Sequence, residues 1–383
     1  MTVIDRALLD RVTRPVETAR GLPNGFYTDP AVFEAEKQAV FAANWACIGF
    51  GKDVPEAGDV RPVDFLGQPL LVVRDTEGVV RVFQNVCRHR GMILVKEPAR
   101  LTGPIRCPYH SWSYDLTGRL RATPHVGGPG KPSHPCIDRS ELGLIEVRSA
   151  LFMDMVFVNL SGEAPAFADY VAPLTRRWGE FTGQALHHGG PDCSVVFDIR
   201  TNWKLAAENY CESYHLPWVH PGLNSYSRLE DHYNIVEPGA FSGQGTKVYN
   251  PQLDENGRRF PSFPGLSAMW DQAAEYVALF PNVLLGVHKD HVFSIMLQPV
   301  TPERTIERLE IYYATPEIAG PAWDAMRKTH VQMWREVFLE DVFVVEGMQE
   351  GRAAPGFDGG KFSPVMDAAT HCLHHWVARQ FQT

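Results

Sequence analysis

The 383-residue sequence contains no apolar run of about 18 residues, the length needed to cross a bilayer. Its opening stretch, MTVIDRALLDRVTRP, carries acidic side chains where a secretory leader would be apolar. The expectation from these absences is a soluble, cytoplasmic protein. Runs of Lys and Arg are missing too, and with a formal charge of −9 the chain would repel a phosphate backbone, which excludes nucleic acid as a partner. No low-complexity tract or short repeat occurs. No glycine-rich fingerprint opens a helix after a strand, which excludes a dinucleotide-binding unit of that type. The seven cysteines (Cys47, Cys87, Cys107, Cys136, Cys193, Cys211, Cys372) are an odd number scattered over a long chain. That is not a disulfide framework; it suits reduced thiols, two of them able to bind metal.

What is present is an ordinary globular composition, 44% hydrophobic and 21% charged, over a length that can bury two cores. Asp29 before Pro30 offers a cap and a first-turn proline, predicting a lead-in helix over 31–43 within a segment 1–44. From 45 to 162 the texture is short β-rich runs (70–73, 79–83, 151–160) parted by turn formers at 75–78 and 117–118, predicting a small antiparallel β domain. A linker-like stretch over 161–166 leads into residues 163–383. There the patterns predict strands at 193–199, 283–287, 292–297 and 306–313, and helices at 203–214, 267–280, 321–349 and 367–381. The expected fold class is α+β: an antiparallel β domain followed by an α+β domain with an antiparallel sheet and long helices. The Gly- and Pro-rich stretch 221–264 reads as a long covering loop.

Two mirrored pairs, Cys87-Arg-His89 and Cys107-Pro-Tyr-His110, lie in the β domain, separated by the 17 residues from Arg90 to Arg106. Two thiolates can hold one iron and two imidazoles the other, which suits a [2Fe-2S] cluster of raised potential. Structural zinc is the competing reading, but zinc fingers pair Cys with Cys and His with His along the chain. With Gly91 after the first pair and Ser111-Trp112 after the second, the chain resembles the Rieske ring-hydroxylating oxygenases.

In the second domain His215 and His220 stand five apart, which is not a same-face helical spacing. Pro217 between them disfavours continued helix and lets His220 turn back toward whatever His215 binds. Two histidines and a carboxylate on one face of an iron leave positions for O2 and substrate. Glu336, Glu340, Asp341, Glu346 and Glu350 are the late-helix candidates, and the family resemblance, an Asp shortly before a Glu and a Gln, selects Asp341 with Glu346 and Gln349, Glu340 being the alternative.

The resemblance covers roughly Trp45 to Gln349 and implies more. It implies a [2Fe-2S] cluster on Cys87, His89, Cys107 and His110, a mononuclear Fe(II), O2 as oxidant, and NAD(P)H used indirectly through a flavin/iron-sulfur reductase or ferredoxin. It also implies a head-to-tail homotrimer in which His110 of one subunit, Glu212 of the next and then His215 pass electrons. Asn209 and Glu212 are the further catalytic candidates. The form Asn209-Tyr-Cys-Glu212 is shorter than in ring dioxygenases and looks like the betaine, carnitine and stachydrine monooxygenases. The expected reaction is therefore hydroxylation or N-demethylation of a small organic, quaternary ammonium-type substrate. An aromatic acid hydroxylase is the alternative, and a Rieske electron carrier or redox sensor the alternative of another class. Tyr210, Tyr214, Trp218 and Trp270 are the aromatic candidates for a cation site. His288, His291, His371, His374 and His375 read as polar side chains rather than further ligands.

Overall fold

The structure is a computed structural model that describes residues 4–254 and 257–382. It separates into two compact units, Cys47–Ala164 and a larger one made of Met1–Ala46 with Pro165–Thr383. The N-terminal helical segment thus packs with the larger unit, where the buried Lys204 and Trp203 both reach Glu36.

The smaller unit is built on a seven-stranded antiparallel sheet in the order Ala46–Phe50, Met155–Asn159, Glu146–Phe152, Val80–Gln84, Gln68–Arg74, Asp59–Phe65, Ala99–Arg100. A three-stranded sheet (Ile105–Arg106, Ser113–Tyr114, Leu120–Ala122) completes it. Cys87, Cys107, Trp112 and Tyr114 lie in its apolar core together with Leu71, Phe83 and Ile105.

The larger unit carries an eight-stranded antiparallel sheet running from His187–His188 through Arg304–Tyr313, His291–Thr301, Val283–Val287, Ala274–Leu279 and Phe241–Thr246 to His232–Glu237, with Ser194–Ile199 also on Arg304–Tyr313. Helices Trp203–Cys211, Asp324–Gly351 and Ala368–Arg379 belong to the same unit. The α+β class stands, but two local expectations do not. Residues 274–279, expected as helix, form a fully buried strand, because an apolar run of that length has no period to separate the two states. Part of the expected loop 221–264 is two paired strands. Glycines hide them: a Cβ on Gly243 would overlap the Tyr276 carbonyl, and one on Gly245 the Tyr233 ring, so close strand approach requires residues that read as loop formers.

Candidate metal centres

The two Cys/His loops are copies of one turn. In each, the Cys carbonyl accepts from the N–H four residues on (Gly91 and Ser111, both 3.0 Å), and the Cys N–H donates to the carbonyl five residues on (Met92 and Trp112, both 2.8 Å). Each turn needs a left-handed residue at its fourth step: Gly91 supplies φ 75° without cost, while Ser111 adopts φ 57°. The His89 and His110 rings end 4.8 Å apart, and His89 stacks on Trp112 at 4.6 Å. Tyr114 Oη lies 3.3 Å from Cys87 Sγ and accepts from Arg88 N.

In the larger unit, Asn202 caps helix Trp203–Cys211 by accepting from Lys204 N. The helix stops at Cys211, earlier than expected, because Glu212 is extended and turns its own carboxylate onto the N–H groups of Tyr214 and His215. Pro217 does not break that helix; it occupies the first turn of a new one, Leu216–Val219, where its missing N–H costs nothing. His215 and His220 are the residues flanking this single turn, and their rings come to 5.0 Å.

Asp341, from helix Asp324–Gly351, brings Oδ1 to 3.0 Å from His220 Nε2 and 3.6 Å from His215 Nε2. Among the described residues these three form the one group of His, Cys, Asp or Glu side chains gathered to hold an ion. The helix is anchored by the residues that accompany Asp341 in the sequence pattern: Glu346 takes Arg200, and Gln349 accepts from Asn202 N while donating to Tyr27 O. The cap that starts one ligand-bearing segment is thereby tied to the helix that bears the third ligand.

Both histidines are held from behind. Glu212 Oε1 meets His215 Nδ1 at 2.6 Å, and Glu340 Oε2 meets His220 Nδ1 at 2.8 Å, which leaves each Nε2 as a lone pair facing Asp341. Glu340, the alternative ligand in the sequence, thus acts on the far side of His220. Burial disfavours a charged His220, yet Asp341 and then Glu340 outweigh it and raise its affinity for a proton; a metal cation would answer the same field. Two buried atoms without a hydrogen-bond partner, His110 Nδ1 and Asp341 Oδ1, fit the implied cluster and iron respectively, since such atoms are costly unless an ion takes them up.

A cleft opens on the triad. Tyr210, Tyr276, Phe293, Trp334 and Phe338 line it with Asn209, and no Lys or Arg is among its lining residues. Of the four aromatic candidates from the sequence only Tyr210 borders this cleft. Tyr214 and Trp218 are 45% and 71% exposed, and Trp270 lines a different cavity and hydrogen-bonds Glu180. Phe293, Trp334 and Phe338 escaped notice because strand and helix core positions look alike whether or not a cavity adjoins them. His371 contacts Val12 O and His374 accepts from Leu22 N, both serving packing of the N-terminal segment. No helix among the described residues is long and apolar enough to cross a membrane.

Residues 44–135 match the Rieske [2Fe-2S] domain family, and residues 182–383 match the ring hydroxylating alpha subunit (catalytic domain) family. The carnitine monooxygenase oxygenase subunit of Escherichia coli (strain K12) is 28% identical over 349 residues, covering 88% of this chain and 86% of that one. The putrescine 2-hydroxylase of Ralstonia nicotianae is 28% identical over 385 residues, covering 95% and 96%. A crystal structure of a quaternary ammonium Rieske monooxygenase with L-carnitine superposes over all of both chains with TM-score 0.75 at 23% identity, which establishes the shared fold. The paired Cys/His turns in one unit and the two-histidine, one-carboxylate cluster in the other are the parts such an enzyme needs, and the chain belongs to the ring-hydroxylating alpha-subunit family, as a Rieske non-haem iron oxygenase with a [2Fe-2S] cluster and a mononuclear iron.

Proposed function

We propose that this oxygenase acts on a small quaternary ammonium or amine compound, hydroxylating it or removing an N-methyl group. The observation that carries the reading is the wall of the cleft: five aromatic side chains and no cationic residue. Aromatic faces attract an ammonium group by ~0.5–2 kcal/mol each, depending on desolvation. An aromatic acid would find no Lys or Arg there for its carboxylate. The names of the relatives, carnitine monooxygenase and putrescine 2-hydroxylase, agree in presenting a cationic nitrogen.

His215, His220 and Asp341 hold the iron, and Cys87, His89, Cys107 and His110 hold the cluster. When bound, the cluster passes single electrons and the iron activates O2. The chain's own residues do the rest: Glu212 and Glu340 keep the Nδ1 protons of the two histidines, and the aromatic wall orients the cation and excludes water. A flavin/iron-sulfur reductase or ferredoxin supplies the electrons. The working assembly is a homotrimer in which Glu212 of one subunit bridges His110 of a neighbour to His215, giving the electrons a hydrogen-bonded route between the two centres; the exposed Tyr214 and Trp218 beside Glu212 are apolar surface for that neighbour to cover. A pure electron carrier would leave the triad and the cleft without use.

The test is oxygen uptake with a generic reductase over betaines, amines, their uncharged tert-butyl analogues and aromatic acids. Cationic compounds alone should stimulate uptake, and Trp334→Leu should raise KM about 2- to 30-fold, the equivalent of one cation–π contact. An aromatic acid outperforming every ammonium compound overturns the reading.

A further inference from the structure

Beside the aromatic wall lies a second, small cavity bordered by Tyr249, Arg258, Lys289, Asp290, His288 and His291. One layer of side chains parts the two spaces. Tyr276 and Trp334 face the iron cleft, and they hydrogen-bond respectively to His288 and His291, which face the second cavity.

Three histidines are buried in this region, and their partners treat them differently. Trp334 Nε1 points at Nε2 of both His291 and His330, each at 3.1 Å. An indole N–H only donates, so both Nε2 atoms are acceptors and both protons sit on Nδ1. These protons are then used, by His291 toward Asp290 Oδ1 at 2.7 Å and by His330 toward Tyr313 Oη at 2.9 Å. His232, at the cleft itself, is fixed in the same way. The amide nitrogen of Gln244 donates to the Glu212 carbonyl, so Gln244 Oε1 accepts the Nδ1 proton of His232 at 2.7 Å. His288 is not fixed. Its Nε2 meets the Tyr276 hydroxyl at 3.0 Å, a group that donates or accepts equally well, and its Nδ1 is buried with no partner. Burial, reinforced by His291 and His330, holds its proton affinity well below the ordinary histidine value, so the ring is neutral and both tautomers are open to it.

We propose that the Tyr276–His288 pair is the path by which protons enter the iron cleft from the second cavity. The proposal rests on the oxygenase reaction, which consumes them. One substrate C–H, one O2, two electrons and two protons give one C–OH and one water: the O–O bond breaks, one oxygen enters the C–H bond, and the other leaves with both protons. In each passage a proton arriving at His288 Nδ1 drives the Nε2 proton onto Tyr276 Oη, whose own proton is released into the cleft. No charge stays in the wall, and the ring ends in its other tautomer with the Tyr276 hydroxyl turned from acceptor to donor; exchange of the ring proton with solvent restores the first tautomer before the second proton passes.

Tyr276→Phe keeps the aromatic face toward the substrate and removes only the hydroxyl. It should leave the substrate dissociation constant, measured by calorimetry, unchanged. Reoxidation of the cluster under O2 and substrate should slow on the order of 100-fold, with a larger solvent deuterium isotope effect and more O2 released as peroxide. His288→Ala should behave alike and be rescued by added imidazole but not by 1-methylimidazole, which fills the same space without an N–H. Rescue by both compounds means that His288 only packs, and overturns the proposal. So does a Tyr276→Phe enzyme with wild-type reoxidation and isotope effect, whether or not imidazole enters. A wild-type enzyme that takes up no O2 with any cationic substrate strikes instead at the proposed function.

Discussion

The two metal centres are built in opposite ways. In the smaller unit all four Cys and His side chains come from two turns with the same pair of backbone hydrogen bonds, each turn closing within five residues. In the larger unit two of the proposed ligands flank a one-turn helix and the third arrives on a helix that starts more than a hundred residues later. The first site needs only its own loops and the apolar core under them. The second is also tied to Arg200 and Asn202, which Glu346 and Gln349 clasp. A local site is therefore sensitive chiefly to its ligands and turn residues, and a non-local one also to residues that touch no metal.

The largest effects test whether the sites are independent. Asp341→Ala should lose one iron per chain and all turnover while the visible absorption of the cluster is unchanged, and Cys87→Ser should lose that absorption and turnover while the mononuclear iron stays bound, as metal analysis with absorption spectroscopy would reveal. Loss of both signals in either variant would break the comparison. Next comes Glu212→Gln, which keeps the shape behind His215 but removes the charge. Electron delivery to the iron should slow about 10- to 100-fold with both centres populated, read as slow reoxidation of a normally reducible cluster.

Gln349→Ala addresses the non-local claim directly. It deletes a buried acceptor and donor far from any ligand atom, and should destabilise the larger unit by ~1–3 kcal/mol and weaken iron binding, with the cluster untouched. Undiminished iron affinity would show that the clasp does not set the site.

Asp75, in the turn that the sequence marks at 75–78, sharpens the contrast from the other side. Burial pushes its carboxyl up, but Arg81 and the N–H groups of Val79 and Glu77 together hold it below the usual carboxylate range. A depressed carboxyl contributes stability that is present above its unfolded value near 3.9 and is lost as pH falls through the lower folded value. Asp75→Asn should cost ~1–3 kcal/mol at neutral pH and flatten the acid limb of the cluster's bleaching curve. The smallest effect is Ser111→Gly. Relieving the left-handed strain should stabilise the second turn by up to ~1 kcal/mol, making it the equal of the first, with the midpoint of thermal bleaching as the measure.

The same division decided what could be read from the chain. Cys87, His89, Cys107 and His110 are legible with Gly91 and Ser111 because a turn closing on itself fixes its spacing in sequence. Strands with clear alternation or branched runs, such as 194–199 and 283–287, are legible for the same local reason. Helix limits near Cys211 and the strand at 241–246 were not. A cap made by Glu212 folding back, and glycines chosen for a neighbour's approach, carry no signal until the neighbour is known.

By itself the sequence determined the two Cys/His and His/His motifs and the α+β class, and it singled out Asp341 as a candidate ligand through its company with Glu346 and Gln349. The tertiary structure alone decided that Glu340 supports His220 rather than replacing Asp341, and that Tyr210 belongs to the cleft while Tyr214 and Trp218 face outward. It also decided that Phe293 and Trp334 line the cleft and that His288 is left with an unfixed tautomer. The physical reason is that a ligand's chemistry is carried by its residue type. A side chain's direction, its burial and the donor or acceptor on its far side are set by groups distant in sequence, and no local pattern encodes them.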